Sequence, residues 1–263
     1  MRVLFVTQLD EIHSSIVLQE LLKSKHKVVG VVTSKTLIHK KNILQSLLDI
    51  IRRSGFRYFL LRAFEGIYIK FYSFFKAIRI DRFKGYSPYK VNGLLKKYKI
   101  KHIPVKNINS KHAILKIKKL KPNIIVCCVF NQIFKKELLS LPREGCINIH
   151  RSLLPKYRGV SPTFWALVNN EKTSGITLHE MIEKIDTGDI LAQKREEIIE
   201  NDTVNTLSFR LMRKAGKLLI NLLDRIENKK SIKRIKMKKI GKYYTWPTKA
   251  AVKKFLRNKR KVF

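Results

Sequence analysis

At 263 residues the chain suits one large domain, or one domain with a small appendage, and its 44% hydrophobic content argues against global disorder. Lys and Arg number 57 against 19 Asp and Glu, a formal net charge of +38. Such a balance points to an anionic partner (nucleic acid, a phosphorylated substrate or an acidic membrane surface), with a solvated lysine-rich surface as the plain alternative.

In chain order, Arg2–Thr7 reads as a buried parallel strand, Ile12–Lys23 as a helix, and Lys27–Thr33 as a second buried strand. This β-α-β opening predicts an α/β fold: an open, mostly parallel sheet with flanking helices. The apolar part of MRVLFVTQLD is too short for a signal peptide, and no apolar run reaches the ~20 residues of a membrane-spanning helix. Neither G-x-G-x-x-G nor G-x-x-x-x-G-K-[ST] occurs.

Residues 35–98 interrupt the alternation and read as a helical insert. Leu44–Ile80 carries Phe56, Phe59, Leu60, Phe64, Ile67, Phe71, Phe74, Phe75 and Ile78 at three- and four-residue spacing, with basic residues largely off that stripe. Either the insert packs on the sheet as a hairpin, or residues 44–80 offer a basic, aromatic surface to an anionic membrane or a partner.

Strands are expected again at Ile100–Val105, Asn123–Phe130, Cys146–His150, Gly175–Met181 and Ile190–Ile198. Helices are expected at Ser110–Lys119, at Phe134–Leu141 as a single turn, and at Ser161–Val168, capped by Ser161 with Pro162 in its first turn. A long helix, Thr203–Ile226, has Asp202 as its expected N-cap. The tail, Asn228–Phe263, holds 15 Lys or Arg and no acid. Within it KKSIKRIKMKKI alternates like a half-exposed strand, and Ala250–Arg257 suits a short helix. The expected division is a catalytic domain over 1–200 and a C-terminal helix with a short basic extension over 201–263. Cys127, Cys128 and Cys146 form no C-x-x-C pair, so buried thiols in a reducing cytoplasm are expected rather than zinc or disulfides.

The chemistry gathers between Cys146 and Ile190. Asn148 and His150 sit two apart on one strand and so point to the same side, at the sheet edge where open α/β folds bind ligands. An amide and an imidazole together suit a developing oxyanion. Asp186 would favour the imidazolium by charge attraction and fix its orientation, and His179 is a further candidate. A lone Asn-x-His is more often a structural pair. Lys156 and Arg158 in LLPKYRG lie either at the same crevice or on a solvated loop.

The text N-x-H-x-SLLPKYRG (Asn148 to Gly159), G-I-T-L-H (Gly175 to His179) and I-D-T-G-D-I (Ile185 to Ile190) resembles the catalytic core of the folate-dependent formyltransferases. That family includes glycinamide ribonucleotide, methionyl-tRNA and amino-sugar formyltransferases. The resemblance extends through NIIVCCVFNQIF and, more weakly, to the N-terminal β-α-β. It implies a Rossmann-like formyltransferase fold and an enzyme moving a formyl group from 10-formyltetrahydrofolate to an amine without a metal. By position, the family's catalytic residues fall on Asn148, His150 and Asp186. Donor contacts fall on Gln132, Ile133, Phe134 and Ile185, largely through backbone, and acceptor contacts on Lys156, Tyr157, Arg158 and His179. The amino-sugar branch is nearest: tRNA-directed members usually carry methionine in place of His179, and Lys242-Tyr243-Tyr244 is similar to a short motif in the sugar enzymes. The implied acceptor is therefore a nucleotide-linked amino sugar, with methionyl-tRNA second. A non-catalytic basic protein on the same scaffold, binding RNA or a membrane, is the competing class. The loop TQLDEIHSS lacks the family's usual glycine turn, and the resemblance does not reach 35–98.

Overall fold

The buried runs rich in Val, Ile and Leu line up as neighbouring strands. The computed structural model describes residues 1–9, 11–34, 43–61, 63–64 and 90–262. In chain order the strands are β1 (Arg2–Gln8), β2 (Lys27–Ser34), β3 (His102–Pro104), β4 (Ile124–Cys128), β5 (Cys146–His150), β6 (Arg158–Gly159), β7 (Thr173–Glu180), β8 (Ile190–Glu197) and β9 (Tyr243–Tyr244). Seven form one sheet in the order β3-β2-β1-β4-β5-β7-β8, and β6 pairs with β9 separately. Pairing is parallel from β3 to β5, whereas β7 runs antiparallel to both β5 and β8. Side-chain alternation reports faces, not directions, so this reversal was not legible in the pattern.

The helices are α1 (His13–Lys23), α2 (Ile43–Ser54), α3 (Val91–Lys97), α4 (Lys111–Lys119), α5 (Lys136–Leu139), α6 (Pro162–Val168), α7 (Val204–Glu227) and α8 (Lys249–Arg257). Along β1 the two faces separate. Val3 and Phe5 share a core with Leu18 of α1 and Leu211, Ala215 and Leu219 of α7. Leu4 and Val6 join Ile117 of α4 and Phe134 on the opposite side. A leucine-sized side chain buried this fully contributes about 2 kcal/mol. Because α7 shares the core of β1, a division at residue 200 cuts through one hydrophobic cluster.

Three expected details differ. Ser161 has a left-handed backbone (φ 53°) and makes no side-chain cap; Pro162 does open α6. Thr203, not Asp202, caps α7, in a reciprocal capping box with Thr206. The Asp202 carboxylate instead accepts from Ile199 N and Thr206 Oγ1 and pairs with Arg210. Third, residues 230–240 form no regular strand. Ile235 alone bridges Ile190 at the start of β8, whose next stretch carries exposed Lys194 and Arg195. Opposing like charges disfavour extending that pairing.

Of the insert, α2, a short helix at 56–61 and α3 are described. Tyr58 is buried edge-on to Phe164, with ring centroids 5.8 Å apart, so this part packs on the domain. Leu44, Leu48, Phe56, Leu60 and Phe64 are exposed. The remainder of the expected stripe, Ile67 to Ile80, lies outside the described residues. Among the described residues no helix is long and apolar enough to cross a membrane.

Candidate active site

Cross-strand register builds the site. Antiparallel pairing of β5 with β7 sets Asn148 directly opposite His179. Asn148 Nδ2 donates to His179 Nε2 (3.1 Å) and to Asp186 Oδ1 (3.3 Å). His150, on the same side of β5, places Nδ1 3.6 Å from Asp186 Oδ2. Three of the residues singled out from sequence therefore converge, with His179 as a fourth whose Nε2 is 3.4 Å from Asp186 Oδ1.

The hydrogen bonds fix tautomers. His150 Nε2 lies 2.8 Å from the Tyr157 carbonyl, which can only accept, so Nε2 carries the hydrogen. In the neutral ring Nδ1 is then the bare nitrogen, and it faces Asp186. His179 Nδ1 donates to the Glu180 carbonyl (2.8 Å), leaving its Nε2 to accept from Asn148.

Burial sets the charges. His150 is held below the ordinary imidazole range chiefly because it is buried; the charge of Asp186 pulls upward, while His179 and Arg151 push further down. The expected pull of Asp186 toward imidazolium is present, but desolvation outweighs it. Burial alone would raise the carboxyl of Asp186. The charges that His150 and His179 carry once protonated at low pH, and the amide of Gly159, hold it well below the usual carboxylate range. Asp186 is ionised beside a neutral His150 at neutral pH. Burial pushes all three thiols up, Cys146 to about 12, so none is a ready nucleophile.

Arg158 corrects another expectation. Its guanidinium is buried and occupied by three main-chain carbonyls: Nε on Asp186 (3.1 Å), Nη2 on Ile185 (2.6 Å) and Nη1 on Gly241 (3.1 Å). It does not face an acceptor. Tyr157 is also turned inward: its hydroxyl donates to Glu171 (2.8 Å), and burial raises its phenol. Lys156 lies at the surface, paired with Glu171 at 3.4 Å. His179 is buried, with its Nε2 taken by Asn148.

On the donor side, Gln132 is buried and laces loops together, accepting from Ile108 N (2.8 Å) and donating to the Lys106 carbonyl (3.0 Å) and to Ser34 Oγ (3.3 Å). Phe134 is fully buried, leaving only its backbone for contact. Ile133 and Ile185 are 52% and 36% exposed, and Ile182 is 47% exposed. The two loops carrying them are joined where Lys136 N donates to Glu183 Oε1 (3.0 Å). Exposed apolar side chains on joined loops, with main-chain groups alongside, fit a flat heteroaromatic group such as a pterin.

Two features of the region escaped sequence reading. Beyond the end of β1, Glu11 accepts from His13 at 2.7 Å. Burial pushes its carboxyl up, but the hydrogen bond and charge of His13 and the charge of Arg151 win and hold it at about 2. Arg151 follows His150 directly, so this charged group flanks the site. The tail also reaches it: β9 pairs with β6, setting Tyr243 beside Arg158 and Tyr244 beside Gly159. Gly159 has φ 96°, and a Cβ there would strike the Tyr244 carbonyl and the Tyr243 ring. The R-G dipeptide and Lys242-Tyr243-Tyr244 were the available signals, though not for their packing on one another.

Comparison with known proteins follows the same outline. The sequence profile of the family described as formyl transferase matches residues 88–223, just over half of the chain. The chain is 43% identical over 113 residues to a methionyl-tRNA formyltransferase of Ehrlichia ruminantium (strain Welgevonden), covering 43% of this chain and 37% of that protein. It is 49% identical over 117 residues to the bifunctional polymyxin resistance protein ArnA of Wigglesworthia glossinidia brevipalpis, covering 43% of this chain and 18% of that one. The matches thus span well under half of either relative. An N-formyltransferase from Helicobacter canadensis, solved with folinic acid and dTDP-3-aminofucose, shares the fold at TM-score 0.57 and 21% identity, covering 93% of this chain and 71% of that one.

Proposed function

This chain belongs to the formyl transferase family, and from that premise we propose that it moves a formyl group from 10-formyltetrahydrofolate to the primary amine of a nucleotide-linked amino sugar. The observation carrying the reading is the convergence of Asn148 and His150 on the ionised carboxylate of Asp186.

The donor, held against Ile133, Ile182, Ile185 and the backbone of Gln132–Phe134, supplies an activated formyl carbon. His150, neutral with Nδ1 bare, takes the proton that the attacking amine sheds, directly or through water. Asp186 stabilises the imidazolium so formed, and that proton passes to the departing nitrogen. As the formyl oxygen gains negative charge, Asn148 turns toward it the N–H of its longer contact, the one to Asp186 at 3.3 Å. His179 keeps the other amide hydrogen and holds the side chain in place.

The acceptor assignment draws support from Tyr243, half-exposed with its ring over Gly159 beside this centre, where it offers a face to a sugar or base. The fold shared with an N-formyltransferase solved with dTDP-3-aminofucose agrees with it. A methionyl-tRNA acceptor is the second reading. It is favoured by the closeness of the basic tail: Ile235 pairs with Ile190, Gly241 meets Arg158, and Lys236, Lys238, Lys239 and Lys242 are exposed along that path. A panel of amino-sugar nucleotides and charged initiator tRNA, each with 10-formyltetrahydrofolate, separates the two. Tetrahydrofolate release with a sugar nucleotide alone supports the first reading, and release with tRNA alone replaces it with the second.

Contact with an anionic membrane belongs to the same proposal for the described part of 44–80. Exposed Leu44, Leu48, Phe56, Leu60 and Phe64 lie among exposed Arg52, Arg53 and Arg57, a combination suited to anionic lipid. Co-sedimentation with phosphatidylglycerol vesicles, lost when Leu48 and Phe56 become Ser, is the expected result; equal sedimentation of the two proteins removes the idea.

A further inference from the structure

Asp186 sits in a costly conformation that other residues impose. Its backbone is left-handed, φ 51°, a region that costs a non-glycine residue about 1 kcal/mol. Both ends of the residue are gripped by one dipeptide. Arg158 Nε holds its carbonyl at 3.1 Å, and the Gly159 amide holds carboxylate Oδ2 at 2.8 Å. The same Oδ2 faces His150, so the dipeptide sets the spacing between carboxylate and imidazole.

What holds the dipeptide is the tail. Arg158 Nη1 bonds the Gly241 carbonyl at 3.1 Å, β6 pairs with β9, and Val160 N bonds the Tyr244 carbonyl at 2.8 Å. Gly241 packs so tightly that a Cβ would collide with the Pro155 carbonyl. Trp165 Nε1 adds a bond to the Thr245 carbonyl at 3.1 Å. These tail residues lie beyond 223, where the family match ends.

We infer that Arg158 and the tail segment Gly241–Tyr244 form one positioning device for Asp186: the tail braces Arg158–Gly159, which fixes the carboxylate against His150. Arg158 is a positioning residue, acting through Asp186 and touching no reactant. The inference rests on Asp186 being a working group of the site, as proposed above. Its geometric content, that the tail sets the Asp186–His150 distance, is testable without turnover.

The test uses the full chain carrying Gly241→Ala or Arg158→Lys. Gly241→Ala pushes the tail carbonyl off Arg158 without altering any charge. Arg158→Lys keeps the charge but has no planar fork to span three carbonyls. Histidine-labelled protein is titrated by NMR, with circular dichroism and thermal midpoint as controls for folding. The groups facing His150 are Asp186, His179 and Arg151, and of these Asp186 pulls its midpoint upward. Loosening the carboxylate therefore moves the His150 midpoint lower, by about half a unit or more, and lowers kcat by roughly 10- to 100-fold while KM for the donor changes little. Should Arg158→Lys not fold, Gly241→Ala carries the test alone. A folded variant whose His150 midpoint is unchanged overturns the inference, even where its thermal midpoint falls. A wild-type protein that shows no formyl transfer while both variants shift His150 refutes the function proposed above and leaves this inference standing.

Discussion

His150 Nδ1 stands 3.6 Å from Oδ2 of Asp186, and the opposite nitrogen of the ring is committed to the Tyr157 carbonyl at 2.8 Å. The imidazole thus has a single free position, and that position adjoins a fixed negative charge. A neutral ring so placed is a proton acceptor whose conjugate acid is stabilised as soon as it forms.

The pH dependence follows from the two shifts. His150 is lowered from its ordinary 6.5, so its contribution to stability is present above about pH 6.5 and is lost as pH falls through its folded value. Asp186 is lowered from 3.8, so its contribution is present above that value and is lost as pH falls further. Unfolding followed across pH should therefore show acid destabilisation in two stages. In Asp186→Asn the lower stage should shrink to what the likewise lowered Glu11 contributes, and the His150 NMR midpoint should drop further because the upward pull is gone. A midpoint that rises in this variant would reverse the assigned electrostatics.

Asn148→Ala removes the only donor proposed for the oxyanion. We expect kcat to fall by about 10²- to 10³-fold with KM little changed. Parallel loss of donor binding, measured by equilibrium titration with a folate analogue, would instead make Asn148 a binding residue.

Away from the site, Asp202 offers a test of the fold. Its carboxylate is fully buried and is held by Arg210 through Nη1 and, at 2.8 Å, Nη2. Arg210→Ala leaves that charge unpaired and should destabilise the protein by roughly 3 kcal/mol. Denaturant unfolding reads this directly. Asp202→Asn in the same background should recover part of the loss, since a neutral amide tolerates burial better.

Much of this molecule was legible because burial writes itself into residue type. The runs at Val3–Val6 and Ile124–Cys128 are apolar throughout because helices cover both faces of the sheet there. Ser110 was readable as a helix start because a short oxygen must meet a free amide, and it accepts from Ala113 N at 3.2 Å. The two-residue step from Asn148 to His150 placed both on one side without any structure. Other features depend on partners distant in the chain. Arg158 in a Pro- and Gly-bearing loop looks solvated, and only the carbonyls of Ile185, Asp186 and Gly241 reveal an inward guanidinium. His179 looked acceptor-facing until its pairing opposite Asn148 showed it buried. Ser161 had the right side chain for a cap but the wrong backbone. The lowered His150 reflects burial outweighing a nearby carboxylate, a balance that spacing does not express.

The measurement that tests the central claim most directly is single-turnover formyl transfer from 10-formyltetrahydrofolate, comparing wild-type protein with His150→Ala on the best acceptor of the panel. Wild type is predicted to release tetrahydrofolate and formylated amine in equal amounts. His150→Ala, folded by circular dichroism and still able to bind a folate analogue, is predicted to be slower by about 10²- to 10⁴-fold. Equal rates in the two proteins would contradict the account.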